Sequence, residues 1–390
     1  MRKVALDLGA RKTTFCEVEG EQVLQRGAVT ELGTLSSLLG PSQPPAVVAI
    51  EACREAWYVH DLLTRWGNQV VLVDTTRSKQ LGIGRHGRKT DRIDAEVLAL
   101  ALERGGIPMA HVLSPQRREL RRWLNVRRAL VESRAQMVTT ARGLAREHGT
   151  KLPRCTAEHF ASTVTKQRLD LELGSILLPL LTLLNGITAE LKTVEAKLLE
   201  LCATEPVVEL LATTPGVGLI VAASFVSVID DAKRFRTAHQ VESYLGLVPS
   251  EDSSGGKRRI GNTKRKGNKV LAPAHCEPRV VAVKTRARSD PLRLWVHEVA
   301  QRRGRRVAVI ALARRLVGIL WAMWRGGTVY DPEHLARASD RGAHHRAARS
   351  AELRAKALAA AARNSRRRLQ QNAGGDSRRV TRASQSAPRK

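Results

Sequence analysis

The sequence predicts an α/β domain with a mixed sheet, followed by a largely helical and strongly basic region. Two short apolar runs, Ala46–Ile50 (AVVAI) and Gln69–Val73 (QVVLV), are typical of buried central strands, and a helical pattern over Ala52–Trp66 separates them. In the stretches Ser114–Glu147 and Leu169–Leu201, apolar residues recur at helical spacing. Alternating strand and helix patterns that give way to helices alone favour this fold class.

Three further strands are expected before these runs. Lys3–Leu8, Thr13–Val18 and Gln22–Arg26 have strand patterns, and Glu19-Gly20-Glu21 is a turn signal between the last two. A helix is expected over Leu32–Leu39. The order strand-strand-strand-helix-strand-helix-strand predicts the mixed sheet.

The composition indicates which kind of molecule the protein binds. The chain has 390 residues, enough for two or three domains, and 43% of them are hydrophobic. A formal net charge of +29 attracts a polyanion, and nucleic acid is the leading candidate, with a membrane surface as the rival. The sequence has no apolar run of about 20 residues and no signal peptide, so no membrane segment is expected.

The cysteines exclude two kinds of site. They are odd in number, widely scattered and without a CxxC pair, which predicts free thiols in a reducing cytoplasm and neither a disulfide framework nor a zinc site. The five are Cys16, Cys53, Cys155, Cys202 and Cys276.

Four acids are candidate metal ligands. Asp91 and Asp94 are three positions apart at the start of a predicted amphipathic helix, so their carboxylates project from one side. Asp7 and Glu51 each stand at the end of an apolar strand, where α/β folds bind ligands, although a capping role remains an alternative for either one. Four clustered acids would repel one another, and two Mg²⁺ ions about 4 Å apart would neutralise them, as in a ribonuclease-H-like arrangement.

Basic residues concentrate in two stretches. In Ser114–Glu147 few acids alternate with the arginines, which favours a phosphate-binding surface over a merely solvated face. Its arginines include Arg117, Arg118, Arg121, Arg122, Arg127, Arg128, Arg134 and Arg142. Tyr244–Leu271 places the turn Ser253-Ser254-Gly255-Gly256 before a second basic run. That run contains Lys257, Arg258, Arg259, Lys264, Arg265, Lys266 and Lys269.

The remaining segments are predicted to be helical or disordered. Leu169–Leu201 predicts a helical hairpin or coiled-coil arm broken near Gly186, with dimerisation favoured and an internal core left open. Leu292–Trp324 has the pattern of an amphipathic core helix. Ala336–Lys390 is expected to be a basic, mostly disordered tail.

A turn over Thr213–Gly218 (TTPGVG) lies between two predicted helices. It resembles a helix-hairpin-helix motif, in which Gly216 and Gly218 let backbone N–H groups approach a DNA phosphate. A purely structural turn is the alternative.

Taken in order, these pieces resemble the DEDD transposases of bacterial insertion sequences, of the serine-dependent, bridge-RNA-guided kind. The resemblance covers the chain from about Met1 to Pro332. The matching pieces are ALDLGARKTT around Asp7, AIEACREAWYV around Glu51, GRKTDRIDAEVLA around Asp91 and Asp94, TTPGVG, and YLGLVPSEDSSGGKRRIGNTKRKGNK.

This resemblance implies an organisation and a chemistry. It implies a Holliday-resolvase-like, ribonuclease-H-like catalytic domain (1–112), a basic helix and coiled-coil arm (113–204), a C-terminal transposase domain (205–332) and a basic tail (333–390). Asp7, Glu51, Asp91 and Asp94 would bind Mg²⁺, and Ser254, the serine directly before glycine, would attack DNA. The implied partners are donor and target DNA, a structured non-coding guide RNA and further copies in a homodimer or homotetramer, in the cytoplasm with the bacterial nucleoid.

Two other functions remain open. A junction resolvase would use the same four acids with water as the nucleophile, and a non-catalytic RNA- or DNA-binding scaffold would need none of them. An actin-like ATP-dependent kinase also begins with an Asp-x-Gly strand, but no later glycine-rich phosphate loops support it.

Overall fold

The computed structural model describes residues 1–9, 11–30, 32–75, 77, 91–251, 260–263 and 291–333. The chain divides into two compact units, Met1–Ser114 and Pro115–Lys390. Each unit has its own hydrophobic core. We describe them separately.

The N-terminal unit is built on a five-stranded mixed sheet with the order β3-β2-β1-β4-β5. β1, β2 and β3 form an antiparallel meander, whereas β4 and β5 extend the sheet in parallel with β1. The strands are β1 (Arg2–Leu8), β2 (Thr13–Glu19), β3 (Gln22–Val29), β4 (Ala46–Glu51) and β5 (Gln69–Val73). The mixed α/β sheet is therefore confirmed, and its likeness to ribonuclease H remains a prediction.

Helices cover both faces of this sheet. The unit contains α1 (Ser36–Leu39), α2 (Ala56–Arg65) and α3 (Asp91–Glu103). Val4, Leu6 and Ile50 pack with residues of α1 and α2. The alternate positions, Ala5 and Ala49, pack with α3. Because successive side chains of a strand point to opposite faces, α3 lies on the face opposite α1 and α2.

The described part of the C-terminal unit is mainly helical, with one short hairpin. Its helices are α4 (Pro115–Glu147), α5 (Phe160–Thr165), α6 (Leu171–Ala203), α7 (Pro206–Ala212), α8 (Leu219–Ile229), α9 (Ala238–Tyr244), α10 (Pro291–Arg303) and α11 (Arg305–Gly326). The hairpin pairs β6 (Pro249–Glu251) with β7 (Ile260–Thr263). α8 lies at the centre, and every residue from Ala222 to Ile229 is buried.

The predicted break near Gly186 is wrong. α6 is one helix of 33 residues that continues through both Pro179 and Gly186. Its leucine face packs along α4 in antiparallel fashion, because the start of α4 shares a core with the end of α6 and the end of α4 with its start. The internal core that the sequence left open is thus present, and dimerisation through this arm stays a prediction.

A second correction concerns Leu292–Trp324. The sequence predicts one helix, but the chain turns at Gly304, which separates α10 from α11. Gly304 has φ +82° and ψ 159°, a conformation open essentially only to glycine. The two helices on either side then pack together in the core of the unit.

Two helices, α6 and α11, are long and apolar enough to cross a membrane by length and composition alone. The expectation of no such run was therefore too strict. Core helices of soluble proteins pass the same test. Leu177 and Leu184 of α6 and Leu316 and Leu320 of α11 are buried within the unit. The predicted tail lies outside the described residues.

Candidate active site and basic surfaces

Asp7 and Glu51 occupy neighbouring positions at the carboxyl end of the sheet. In the parallel pair of β1 and β4, the last registered partners are Leu6 and Ile50, and the two acids stand one position further along each strand. Adjacent strands are about 4.8 Å apart, so the two backbones are neighbours at this point. Asp7 and Glu51 each lie two positions after Ala5 and Ala49, respectively. They therefore lie on the same face of the sheet as these alanines, the face covered by α3.

The direction of α3 brings its first turn to this same edge. Lys3, near the amino end of β1, forms an ion pair of 3.0 Å with Glu103, the last residue of α3. Arg104, just beyond the helix, pairs with Glu21 in the turn between β2 and β3. α3 consequently runs antiparallel to β1, and its N-terminus points towards the strand ends that carry the acids.

The lengths of the two elements agree with this placement. The four steps from Lys3 to Asp7 span about 13 Å of strand. The nine steps from Glu103 back to Asp94 span about 13.5 Å of helix. These lengths place the expected level of Asp94 near that of Asp7 along the sheet. Its side chain is only 5% exposed, which is unusual for an aspartate.

The four predicted acids are not equally well described. Asp91 is the first residue of α3, but its side chain lies outside the described part of the structure. Among the described side chains, no group of three or more His, Cys, Asp or Glu is arranged to hold a metal ion. Asp7 and Glu51 stand at neighbouring strand ends. Convergence of all four acids on one metal site stays a prediction.

Helix α4 holds several of its arginines inside the unit. Arg117 forms ion pairs with Glu205 and Asp230, and its side chain is 13% exposed. Arg118 is 4% exposed. Burial lowers the pKa of the Arg121 guanidinium below its ordinary value. These side chains contribute to packing between helices, and phosphate binding by them stays a prediction.

The same holds further along α4. Arg127 pairs with Glu195 of α6 at 2.7 Å. Arg142 donates to the backbone carbonyls of Leu152 and Pro153 and lies over the Phe160 ring. Arg122, by contrast, is exposed, whereas Arg117, Arg118 and Arg121 are buried or half-buried.

The turn between α7 and α8 has the predicted helix–turn–helix arrangement. Gly216 has φ +80°, and Gly218 precedes the first turn of α8. A side chain at Gly218 would meet nothing within 4 Å, so its backbone is open to approach. Thr214, in the same turn, is buried. The helix-hairpin-helix motif and its contact with DNA remain predictions.

The proposed nucleophile and the second basic run lie outside the described residues. They comprise Ser253, Ser254, Lys257, Arg258, Arg259, Lys264, Arg265 and Lys266. The flanking strands β6 and β7 pair in antiparallel fashion.

Sequence reasoning missed one charged feature. The turn between α10 and α11 carries Arg302, Arg303, Arg305 and Arg306 around Gly304, and all four arginines are exposed. The signal was visible in the sequence as RRGRR. The apolar pattern continues on both sides of this run and therefore predicts a single helix without a turn.

Comparisons with known proteins match both units. A transposase model of the DEDD type, from IS110 elements, matches residues 4–148. A model of the IS116/IS110/IS902 transposase family matches residues 208–292. The first match contains Asp7, Glu51, Asp91 and Asp94, and the second contains Ser254.

Similarity to curated proteins extends over most of the chain. A probable family 20 transposase of Pseudomonas aeruginosa is 31% identical over 304 residues, which cover 74% of this chain and 87% of that protein. The transposase for insertion sequence element IS1328 of Yersinia enterocolitica is 28% identical, covering 84% and 98%. The transposase for element IS1111A of Coxiella burnetii is 26% identical, covering 71% and 77%. The chain thus belongs to the IS116/IS110/IS902 family of insertion-sequence transposases.

Proposed function

We propose that this transposase cuts and rejoins DNA strands by phosphoryl transfer, with acids at the sheet edge and Ser254 as the nucleophile. The observation that carries the proposal is the placement of Asp7 and Glu51 at neighbouring strand ends, on the sheet face that α3, the helix of the buried Asp94, covers. A protein has little structural reason to gather acids in this way, because like charges repel when they are close. Binding of cations offsets that cost.

The side chains at this edge fit a magnesium site by their chemistry. Carboxylate oxygens are the hard ligands that Mg²⁺ prefers, and the proposed set contains no sulfur or imidazole ligand. Asp7, Glu51, Asp91 and Asp94 would hold the metal, as two ions. When bound, Mg²⁺ neutralises charge and polarises phosphate oxygens.

Ser254 is the proposed attacking group. Its hydroxyl oxygen forms a bond to the DNA phosphorus while the bond to the 3′ oxygen breaks. The products are a phosphoserine link and a free 3′ hydroxyl. A serine hydroxyl must lose its proton to react well. Because no His stands beside Ser254 in the sequence, the base comes from elsewhere in the fold. Lys257, Arg258 and Arg259 would stabilise charge on the phosphate oxygens.

A guide RNA and a multimer complete the proposal. The net charge of +29 and the basic run after Ser254 support binding of more than one nucleic-acid strand. An RNA encoded by the element would pair with donor and target DNA, and the protein would act as a homodimer or homotetramer. Support for both comes from the family resemblance.

Covalent protein–DNA adducts test the nucleophile. Ser254→Ala and Ser253→Ala variants are compared on a cognate element, with adducts separated on denaturing gels. Adducts should vanish in Ser254→Ala and persist in Ser253→Ala. Adducts retained in Ser254→Ala would refute the assignment. Strand cleavage by the wild type without any adduct would favour the resolvase that uses water.

A matched pair on α3 tests the acids. Asp94→Asn should lower strand cleavage by several orders of magnitude. Glu96→Gln removes a carboxylate from the same helix, one that pairs with Arg26 of β3, and should retain activity within a fewfold. Equal activity in the two variants would show that Asp94 is not part of the site.

A further inference from the structure

The turn between α10 and α11 presents an unusual concentration of positive charge. Arg302 and Arg303 end one helix, and Arg305 and Arg306 begin the next. Gly304 makes the connection in a single residue, because its left-handed backbone conformation avoids a longer loop. The four guanidinium groups are thereby held on adjoining helical turns.

Within the described part of the chain, none of these four arginines forms an ion pair with an acid. Arg302 donates to the backbone carbonyl of Glu298, one helical turn earlier. Arg305 and Arg306 also stand in the first turn of α11, where the helix dipole disfavours cations. The arrangement costs stability unless an anion binds to it.

An apolar pocket lies directly beside this turn. Its volume is about 330 Å³, and it is lined by Trp295, Val299, Arg302, Arg303 and Val307. This volume lies at the lower end of the range for small-ligand pockets, about 300–1,000 Å³. The guanidinium carbon of Arg315 lies 4.6 Å from the centre of the Trp295 ring, so the ring is held in place by a stacked cation.

We propose that this pocket takes an unpaired nucleobase, while the flanking phosphates bind the four arginines. A flat base can stack against an indole, and such stacking tolerates any base. Guanidinium groups bind phosphate through two parallel hydrogen bonds. A base inside a duplex is already stacked and paired, so the pocket selects single strands, flipped bases or bulges. The residues of this pocket are different from the proposed acids and from Ser254, and the proposal does not depend on their chemistry.

Photo-crosslinking to the full chain tests the pocket. The probe is a short oligothymidine with one 5-iodouracil, made as DNA and as RNA, and the crosslinked peptide is identified by mass spectrometry. Crosslinks should map to the peptide that contains Trp295. The DNA and RNA arms show which strand the site prefers, since the base and phosphate chemistry is common to both.

Two variants and one control separate the base from the phosphates. Val307→Met partly fills the pocket without changing charge, and Val307 is 45% exposed, so the fold should tolerate the change. This variant should reduce the Trp295 crosslink by about fivefold or more. Arg302→Lys with Arg303→Lys keeps the charge but loses the paired hydrogen bonds, and should also weaken the crosslink. Lys166→Ala with Arg168→Ala removes two exposed charges near the start of α6 and should leave it unchanged.

An abasic oligonucleotide provides the decisive comparison. It should compete with the probe about fivefold less well than the normal strand in the wild type, and equally well in Val307→Met. Equal competition in the wild type would show that the turn binds phosphate alone and would overturn the proposal. Crosslinks that map elsewhere, or that persist in folded Val307→Met, would also overturn it. Thermal melting confirms that each variant is folded.

Discussion

In the N-terminal unit, the like charges of Asp7 and Glu51 stand at neighbouring strand ends, whereas in the C-terminal unit Arg117 lies between Glu205 and Asp230. The first arrangement places like charges together. The second pairs opposite charges between helices that are distant in sequence. Neutralising a charge should therefore have opposite effects on the stability of the two units.

This difference shows that a high number of charged residues in a stretch does not by itself indicate a binding surface. The arginines at the start of α4 are numerous, yet Arg117 is paired and Arg118 is buried. The acids are few, yet they stand at strand ends and at a helix start. The position of a charged group in the fold, and not the number of such groups, indicates whether it serves packing or ligand binding.

The largest expected change in stability follows from replacing the paired Arg117. Arg117→Ala leaves the carboxylates of Glu205 and Asp230 facing each other in a partly buried site. We expect the free energy of unfolding to fall by about 2–3 kcal/mol, less than for a fully buried pair because all three side chains retain some exposure. Urea denaturation measures the change. Arg122→Ala, an exposed neighbour on α4, is the control and should stay within about 0.5 kcal/mol. Similar losses in both variants would contradict the comparison.

The buried thiol of Cys202 lies near Arg117 and Glu205, and its pKa depends on both. Burial, with a smaller effect of Glu205, raises the pKa of Cys202 to about 11, whereas Arg117 opposes the rise. A raised pKa in the folded state means that the neutral thiol stabilises the fold below pH 9, and that this contribution is lost as pH rises from about 9 to about 11. At pH 10 the loss should be about 1 kcal/mol.

The measurement compares urea midpoints of the wild type and Cys202→Ala at pH 8 and pH 10. The wild type should lose more stability than the variant, since other titrating groups affect both equally. An equal loss would mean that Cys202 ionises as easily in the folded protein as in the unfolded chain.

Removing a charge from the pair Asp7 and Glu51 should raise stability, whereas removing Arg117 should lower it. Glu51→Gln removes a charge beside Asp7, and like charges on neighbouring strands destabilise a sheet. Without divalent cations, we expect the N-terminal unit to gain about 0.5–1 kcal/mol. Added Mg²⁺ should stabilise the wild type more than the variant. Thermal melting with and without Mg²⁺ measures both effects. Glu96→Gln breaks an ion pair with Arg26 and should not show the gain.

The smallest effect is expected at the turn before α11. Arg305→Gln removes a cation from a helix N-terminus, where cations are unfavourable, and should raise stability by about 0.3–0.5 kcal/mol at low salt. The gain should disappear at high salt because the interaction is screened. A loss of stability would show that Arg305 has a structural partner, like Arg117.

The sequence allowed much of the N-terminal unit to be predicted. Strand patterns are local, so the strands and the placement of Asp7 and Glu51 at their ends follow from alternation and turn signals. The direction of α3 could not be predicted. It depends on contacts such as Lys3 with Glu103, which lie 100 positions apart.

The C-terminal unit is harder to predict, because its packing also depends on contacts between residues that are distant in sequence. The partners of Arg117 come from helix ends far along the chain, so its local sequence predicts a surface side chain. Gly186 predicts a break, but it is exposed, and the burial of the leucine face of α6 against α4 outweighs a local cost of about 1 kcal/mol. Gly304 lies within an apolar pattern that predicts a single helix, although its left-handed backbone divides two helices.

Helix α3 is held at its C-terminal end by two ion pairs. Its last turn is tied to β1 by Glu103, and the turn after it is tied to the β2–β3 corner by Arg104. The position of Asp94 is then set by counting residues back from that anchor. One residue inserted between the two would advance the free end by about 1.5 Å and rotate it by about 100°, which carries the acid off the sheet face. If Asp94 belongs to the proposed site, the spacing between Asp94 and Glu103 is as much a requirement as the carboxylate itself. A change in length here would then disable the proposed site while leaving every proposed ligand in the sequence.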